Sequence, residues 1–349
     1  ANVRNSGTIS TPDGQTVLAA GLQIGVLPHA GSDPSLRGLD VVVGAVDDPD
    51  ASRRIRAGTA INDGIIEIER ANATITGKSV QQNGIIDSTT SVSLNGRIDL
   101  QAVYDYVANP AYNANGATEA HKTLFVPRST GVVTIGEGSV MRILPEIASD
   151  EKITGTEVAI RSQVNARGLA VHFDKGSQLL APNASVTVQA GKWDYIPSTT
   201  EQQPPLSRFV YSAGQIYVDE GAMIDVAGTT AVQVPLEQNI LTLEFRGPEL
   251  ADTPLQREGP FRNTTITIDA RRTGTFNGRE WIGTPLGDAT GFLELIERGV
   301  GQLTVAGGDV TLQAGESVVL QKGSIIDVSG GWMNNKGGYI KTTKVIQGP

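Results

Sequence analysis

The chain has 349 residues, with 28 Lys and Arg against 37 Asp and Glu, for a net charge of −9. It holds no cysteine, which excludes a disulfide framework, a thiolate metal site and a cysteine nucleophile. The three histidines, His29, His121 and His172, lie far apart and offer little to an imidazole metal centre.

Residues 1–7 lack the basic and apolar regions of a signal peptide. If the chain is exported, its signal lies upstream or has been removed, and the strand-like sequence at both termini reads as a piece of something longer. Short alternating runs of Val, Ile, Leu and Thr follow, bounded by Gly, Asn and Asp. Among them are Gly7-Thr8-Ile9-Ser10, Gly64-Ile65-Ile66-Glu67-Ile68, Ala73-Thr74-Ile75-Thr76 and Ser91-Val92-Ser93-Leu94. Further on come Val132-Val133-Thr134-Ile135, Ser185-Val186-Thr187-Val188, Thr265-Ile266-Thr267-Ile268 and Gln302-Leu303-Thr304-Val305. Period two over four or five residues predicts strands with one buried face. Helical periodicity is confined to residues 100–107 and 291–298. No apolar run reaches the ~18 residues that a membrane-spanning helix needs. No basic stripe with stacking aromatics marks a nucleic-acid face.

One unit recurs: a strand, a charged residue, Gly-Ser or Gly-Ala, then a second strand. It appears as Glu137-Gly138-Ser139-Val140, Lys175-Gly176-Ser177-Gln178, Glu220-Gly221-Ala222-Met223 and Lys322-Gly323-Ser324-Ile325, with looser copies around Gly84 and Gly96. Glycine takes φ > 0 without steric cost, so Gly84, Gly96, Gly138, Gly176, Gly221 and Gly323 are read as the corners of coils. A single coil cannot bury its own apolar face; stacked coils bury each other's. At roughly 20–25 residues per coil this predicts a right-handed parallel β-helix of about ten coils, on the order of 50 Å long, in preference to a β-sandwich. Stretches rich in Pro, Gly and charge at about 27–56, 104–128, 193–208, 246–262 and 271–288 interrupt the rhythm and are read as loops or lobes thrown out from one continuous coil stack.

The chain resembles the filamentous-haemagglutinin-like exoproteins of Gram-negative bacteria, the secreted partner in two-partner secretion. The resemblance is carried by Asn5-Ser6-Gly7-Thr8-Ile9, Val17-Leu18-Ala19-Ala20-Gly21, the strings at 77–84, 90–100 and 283–297, Gln238-Asn239-Ile240-Leu241, residues 246–252, and Ile326-Asp327-Val328-Ser329-Gly330-Gly331. It implies a β-helical shaft, export through an outer-membrane transporter, location at the cell surface or outside the cell, and a role in adhesion or surface structure. The family's Asn-Pro-Asn-Gly secretion motif is not found, so the transporter would be engaged by a region outside this sequence.

The expected function is therefore that of a non-enzymatic adhesin or structural shaft with no cofactor, no metal and no nucleic-acid partner. It would meet a surface receptor or glycan through its loops and could self-associate. Trp193, Tyr195, Trp281 and Trp332, in or beside loops, are the candidate glycan or partner contacts. One alternative is a carbohydrate-active β-helix enzyme, a lyase or hydrolase using Asp99, Asp219, Glu220 and Asp225 with Arg97. Another is a scaffold subunit of an extracellular filament, paired through open coil ends. Asp225 and Asp327 occupy equivalent repeat positions, as do Asp87 and Asp99 more loosely. A calcium ladder there competes with turns capped by Asp, and the capped turn is the expectation.

Overall fold

The computed structural model describes residues 1–28, 38–44, 58–198, 200, 202–251, 259–276, 278–339 and 341. Three parallel sheets carry the architecture. The first joins, in order, Val3–Asn5, Thr59–Asn62, Ser79–Gln82, Val132–Ile135, Ala170–Phe173, Gln215–Val218 and Ser317–Leu320. The second joins Thr8–Ser10, Ile65–Ile68, Ile85–Thr90, Val140–Pro145, Gln178–Leu180, Met223–Asp225 and Ile325–Asp327. The third, one strand shorter, joins Gln15–Ala19, Asn72–Thr76, Arg97–Gln101, Gln163–Gly168, Ser185–Ala190 and Asp309–Ala314. The chain visits the three sheets in turn and begins again, which is a parallel β-helix. Where no insertion intervenes, equivalent residues lie 20 to 22 apart, as Asn62 does from Gln82 and Arg167 from Gln189. The described coils are seven, not ten, because the insertions take up more of the chain than their composition suggested; at ~4.8 Å per layer the stack is on the order of 30 Å long.

Alternation within each strand builds the interior. Ala60, Val80, Val133, Val171 and Ile216 stack in register in the first sheet. Ile66, Ile86, Met141, Leu179 and Ile224 stack in the second, and Ala73, Ile98, Val164 and Val186 in the third. All belong to one buried cluster. Each large aliphatic side chain shut away from water contributes roughly 1.5–3 kcal/mol, but only because a layer covers it above and below. The last coil shows the converse: Val318 and Leu320, in register with Ile216 and Val218, are 43% and 52% exposed.

The corner between the first and second sheets is made in two ways. In the first three coils only two residues separate the strands, as in Ser6-Gly7, Asp63-Gly64 and Asn83-Gly84. Here the last inward residue of the first strand is an amide, forming the buried ladder Asn5–Asn62–Gln82. Asn5 Nδ2 donates to Asn62 Oδ1 at 2.8 Å, and Asn62 Nδ2 donates to Gln82 Oε1 at 2.8 Å. The same amides tie down the tight corner: Gly7 N donates to Asn5 Oδ1, and Gln82 Nε2 donates to the Gly84 carbonyl. From the fourth coil on the corner is four residues long, as in Gly136-Glu137-Gly138-Ser139. An i to i+3 bond closes it each time, from Ser139 N to Gly136 O, Ser177 N to Asp174 O, Ala222 N to Asp219 O and Ser324 N to Gln321 O. The ladder column turns apolar there, with Ile135, Phe173 and Val218 buried.

The corner glycines divide likewise. Gly138, Gly176, Gly221 and Gly323 have φ of +67°, +66°, +70° and +88°. Gly84 and Gly96 are not in that region and are required for a different reason, a correction to the reading of all six as φ > 0 corners. A Cβ on Gly84 would lie 2.1 Å from the Gly64 carbonyl oxygen, and one on Gly96 would lie 2.4 Å from Ser88 Oγ. At the residue before the φ-positive glycines, the charges alternate up the stack: Glu137, Lys175, Glu220, Lys322. Lys175 Nζ meets Glu220 Oε2 at 3.0 Å.

The insertions differ from the expected ranges. The first contains an antiparallel hairpin, Ile24–Pro28 with Leu39–Val43; residues 29–37 and 45–57, and His29 with them, lie outside the described residues. The second spans two short antiparallel pairs, Val103–Tyr104 with Ser129–Thr130 and Val107–Ala108 with Phe125–Val126. Residues 100–107 are thus strand and turn rather than helix, because cross-strand partners capture a stretch whose apolar spacing fits either period. The third is a hairpin, Lys192–Ile196 with Leu206–Val210. Of the expected ranges 246–262 and 271–288, residues 252–258 and 277 lie outside the described residues; the rest are parts of one larger lobe between Met223–Asp225 and Asp309–Ala314, which has its own core of Leu243, Phe245, Leu250, Ile266, Ile268 and Ala289. Thr265–Asp269 belongs to this lobe, paired antiparallel with Ile240–Glu244, and is not a coil strand. Residues 302–305, read as strand, do not form one: Val300–Leu303 is a short helix whose Val300 and Leu303 pack with Val92. An insertion that composition did not reveal separates Val140–Pro145 from Gln163–Gly168; its Lys152–Thr154 pairs with Glu297–Gly299 of the large lobe.

Candidate recognition cleft on the third sheet

The outward positions of the third sheet form a continuous polar face. Arg97 Nε donates to Asp99 Oδ2 at 2.7 Å, and its Nη1 donates to Gln163 Oε1 at 2.6 Å. Asn165 Nδ2, one coil on, donates to Asp99 Oδ1 at 2.9 Å. Further along, Arg167 donates to Gln189, and the Tyr211 hydroxyl donates to Gln313 Oε1 at 2.7 Å. Strand alternation explains the face: the inward residues Ile98 and Leu100 are fixed by the core, which leaves Arg97, Asp99 and Gln101 outside.

Over the first coils this face is roofed. The paired strands Ile24–Pro28 and Leu39–Val43 lie above it, tied down where Gln15 Oε1 accepts from Leu39 N at 2.8 Å and Gln15 Nε2 donates to Leu39 O at 2.9 Å. The second insertion closes the side, with Tyr106 N donating to the Val43 carbonyl at 3.0 Å. Between roof and sheet lies a cleft of about 260 Å³ whose floor includes Thr74, Arg97, Asp99 and Gln101 and whose roof includes Val41 and Phe125. Tyr106 also lines it; burial pushes its phenol up to about 12, so its hydroxyl stays a neutral donor at ordinary pH. The Arg97–Asp99 pair is nearly closed off, with side chains 12% and 10% exposed.

The four loop aromatics are not brought together. Trp193 sits in the third hairpin, edge-on to its cross-strand partner Phe209 at 5.5 Å between centroids, with Phe209 packed in turn on Tyr211 and beneath Arg167. Tyr195, two residues on, lies under the Arg128 guanidinium at 5.7 Å. Trp281 is in the Arg279–Ile282 strand of the large lobe, its ring against Gly274. Trp332 is 54% exposed on the path leaving the last coil. Trp193 and Trp281 pack within their own insertions, Tyr195 packs against Arg128 of the second insertion, and Trp332 stays half-exposed outside any insertion.

The acidic candidates for catalysis are also dispersed. Asp219 and Glu220 sit in the corner between the first and second sheets, Asp225 on the outer face of the second, and Arg97 and Asp99 on the third. Asp225 Oδ1 accepts from Ala227 N, and Asp327, in register with it, accepts from Ser329 N, both at 2.9 Å. These are Asp-capped turns, and the Ser329 backbone bond holds the Asp327 carboxyl below the ordinary range. Asp87 is held by a two-pronged contact from Arg142 on the next coil. His172 points outward on the first sheet with its ring 5.8 Å from that of Tyr217. Among the described residues no group of three or more His, Asp and Glu is placed to hold a metal.

The roofed cleft escaped sequence reasoning because its two walls come from chain segments that share no motif. The one available signal was the outward triplet Arg97-Ile98-Asp99-Leu100-Gln101, in which three long polar residues fall on one face of a strand. No family model, curated protein or solved structure matches the chain.

Proposed function

We propose that this chain is a non-enzymatic shaft segment of a secreted bacterial surface protein of the filamentous-haemagglutinin type, in which the coil stack is a spacer and the insertions carry recognition. The observation that carries the reading is the use made of the outward charges. Asp99, Asp87 and Glu220 bond to neighbouring coils and Asp225 and Asp327 cap their own turns, so the groups that a lyase or hydrolase would set aside for chemistry are already engaged inside the fold. The three parallel sheets supply a stiff support, and the hairpins and the large lobe, with its separate core, project from it.

Antibodies raised against the chain should label intact, unpermeabilised cells that produce it; labelling that appears only after lysis overturns the surface assignment. A polysaccharide-degradation screen bears on the enzymatic reading. Turnover that vanishes in Asp99→Asn or Asp225→Asn would replace the shaft with a catalyst.

A further inference from the structure

The cleft beneath the paired strands Ile24–Pro28 and Leu39–Val43 has the composition of a ligand site. Its floor is a sheet face of amide, hydroxyl and paired-charge groups; its roof is aliphatic and aromatic apart from Asp40. The Gln101 amide and the Tyr106 hydroxyl both line it, and neither side chain has a hydrogen-bond partner among the described residues. Both side chains are only partly buried and open to the cleft, so a polar guest can take up their hydrogen bonds in place of solvent.

The charges define what kind of guest. Arg97 is neutralised by Asp99 and also bonded to Gln163, while Asp99 accepts from Asn165 as well. Asp40, the remaining charged residue of the lining, is also engaged within the protein. An anion would find no spare cation, and a cation would have to compete for carboxylates already in use. The volume of about 260 Å³ lies just under the ~300 Å³ at which drug-sized pockets begin, so the guest is a single small ring. A pyranose suits both walls: its hydroxyls face the floor, where rungs repeat every ~4.8 Å, and its C–H face lies against Val41, Phe125 and the Tyr106 ring.

We propose that the cleft between the outer face of the third sheet and the paired strands Ile24–Pro28 and Leu39–Val43 binds one neutral pyranose ring, with Gln101 and Tyr106 as its hydrogen-bonding contacts. This rests on the recognition role proposed above and gives that role a ligand class and an address.

The test uses the methyl glycosides of glucose, galactose, mannose and N-acetylglucosamine, read by saturation-transfer NMR and titration calorimetry on the whole chain. At least one should bind with a dissociation constant in the millimolar range or tighter, and Gln101→Leu and Tyr106→Phe should each weaken it about tenfold, the equivalent of one hydrogen bond. Hydrogen exchange on the unmodified chain gives a readout that does not depend on variants folding. Sugar-dependent protection should fall on residues 97–107 and 38–43. No binding by any of the four, unchanged binding in both variants, protection elsewhere, or binding only of sulfated or sialylated sugars overturns the site. Surface labelling without sugar binding removes this site and leaves the shaft standing; sugar binding by a chain that is not at the surface does the reverse.

Discussion

The amide ladder offers a sharp test of how the interior is held. Asn62 is fully buried; it accepts from Asn5 and donates to Gln82 and, more weakly at 3.3 Å, to the Ile85 carbonyl. Asn62→Val leaves Asn5 Nδ2 with only its 3.3 Å contact to the Ile65 carbonyl and deprives Gln82 Oε1 of its donor. At about 1–3 kcal/mol for each buried group left unpaired, the variant should lose about 2–4 kcal/mol. The same column in later coils is Ile135, Phe173 and Val218, so the geometry accepts an apolar stack. The triple change Asn5→Val, Asn62→Val and Gln82→Leu removes the ladder's donors and acceptors together, leaves the Gly7 N–H and Gly84 carbonyl at the accessible corner to water, and should cost less than Asn62→Val alone, about 1 kcal/mol. Equilibrium unfolding in urea, followed by circular dichroism, measures both through the midpoint at constant slope. A triple variant as damaged as the sum of its three single changes would refute the account, because the ladder would then be contributing more than mutual satisfaction.

Other outcomes follow from the glycines, the lobe and its acids. Gly131→Ala places a Cβ 1.6 Å from the Lys78 carbonyl oxygen, so the chain should fail to melt cooperatively. Gly138→Ala has open space around it and pays only for φ of +67°, about 1–2 kcal/mol, read as a lowered Tm. Phe245→Ala, in the lobe core, should cost about 3–5 kcal/mol within the lobe, shifting Trp281 fluorescence while the far-UV spectrum of the coils persists. Arg271, donating to Asp269, holds that carboxyl below its ordinary range. A depressed folded value means stabilisation that is present above the unfolded value of about 3.9 and is lost as pH falls through the folded one. The lobe should therefore loosen below about pH 4, and Asp269→Asn should flatten that part of the acid titration.

What could be read from sequence was whatever repeats. The Gly-Ser corners at 138, 176 and 323 and the Gly-Ala corner at 221 fall in register, and Asp225 pairs with Asp327 as their shared context implied. Alternation alone could not say which sheet a strand joins. Thr265–Asp269 alternates as cleanly as Ser185–Ala190, yet one is in the lobe and the other in the coil, because register is decided by neighbours remote in the chain. Residues 302–305 alternate too, and a local turn of helix claims part of them where Val300 and Leu303 find Val92. The ladder was hidden for a different reason: Asn5, Asn62 and Gln82 look like surface residues until stacking supplies each with its partner. Their constant place two residues before Gly7, Gly64 and Gly84 is the trace they leave in sequence.

The sign alternation through Glu137, Lys175, Glu220 and Lys322 bears on how a chain built from near-identical corners avoids assembling out of step. The last four coils share the same glycine corner and almost interchangeable apolar rungs, so hydrophobicity alone would tolerate a layer skipped during folding. Skipping one sets glutamate on glutamate or lysine on lysine, while the native order sets opposites together. Such a proofreading column acts through water and weakens with ionic strength. Refolding in concentrated salt should then yield more misassembled chain than refolding in dilute buffer.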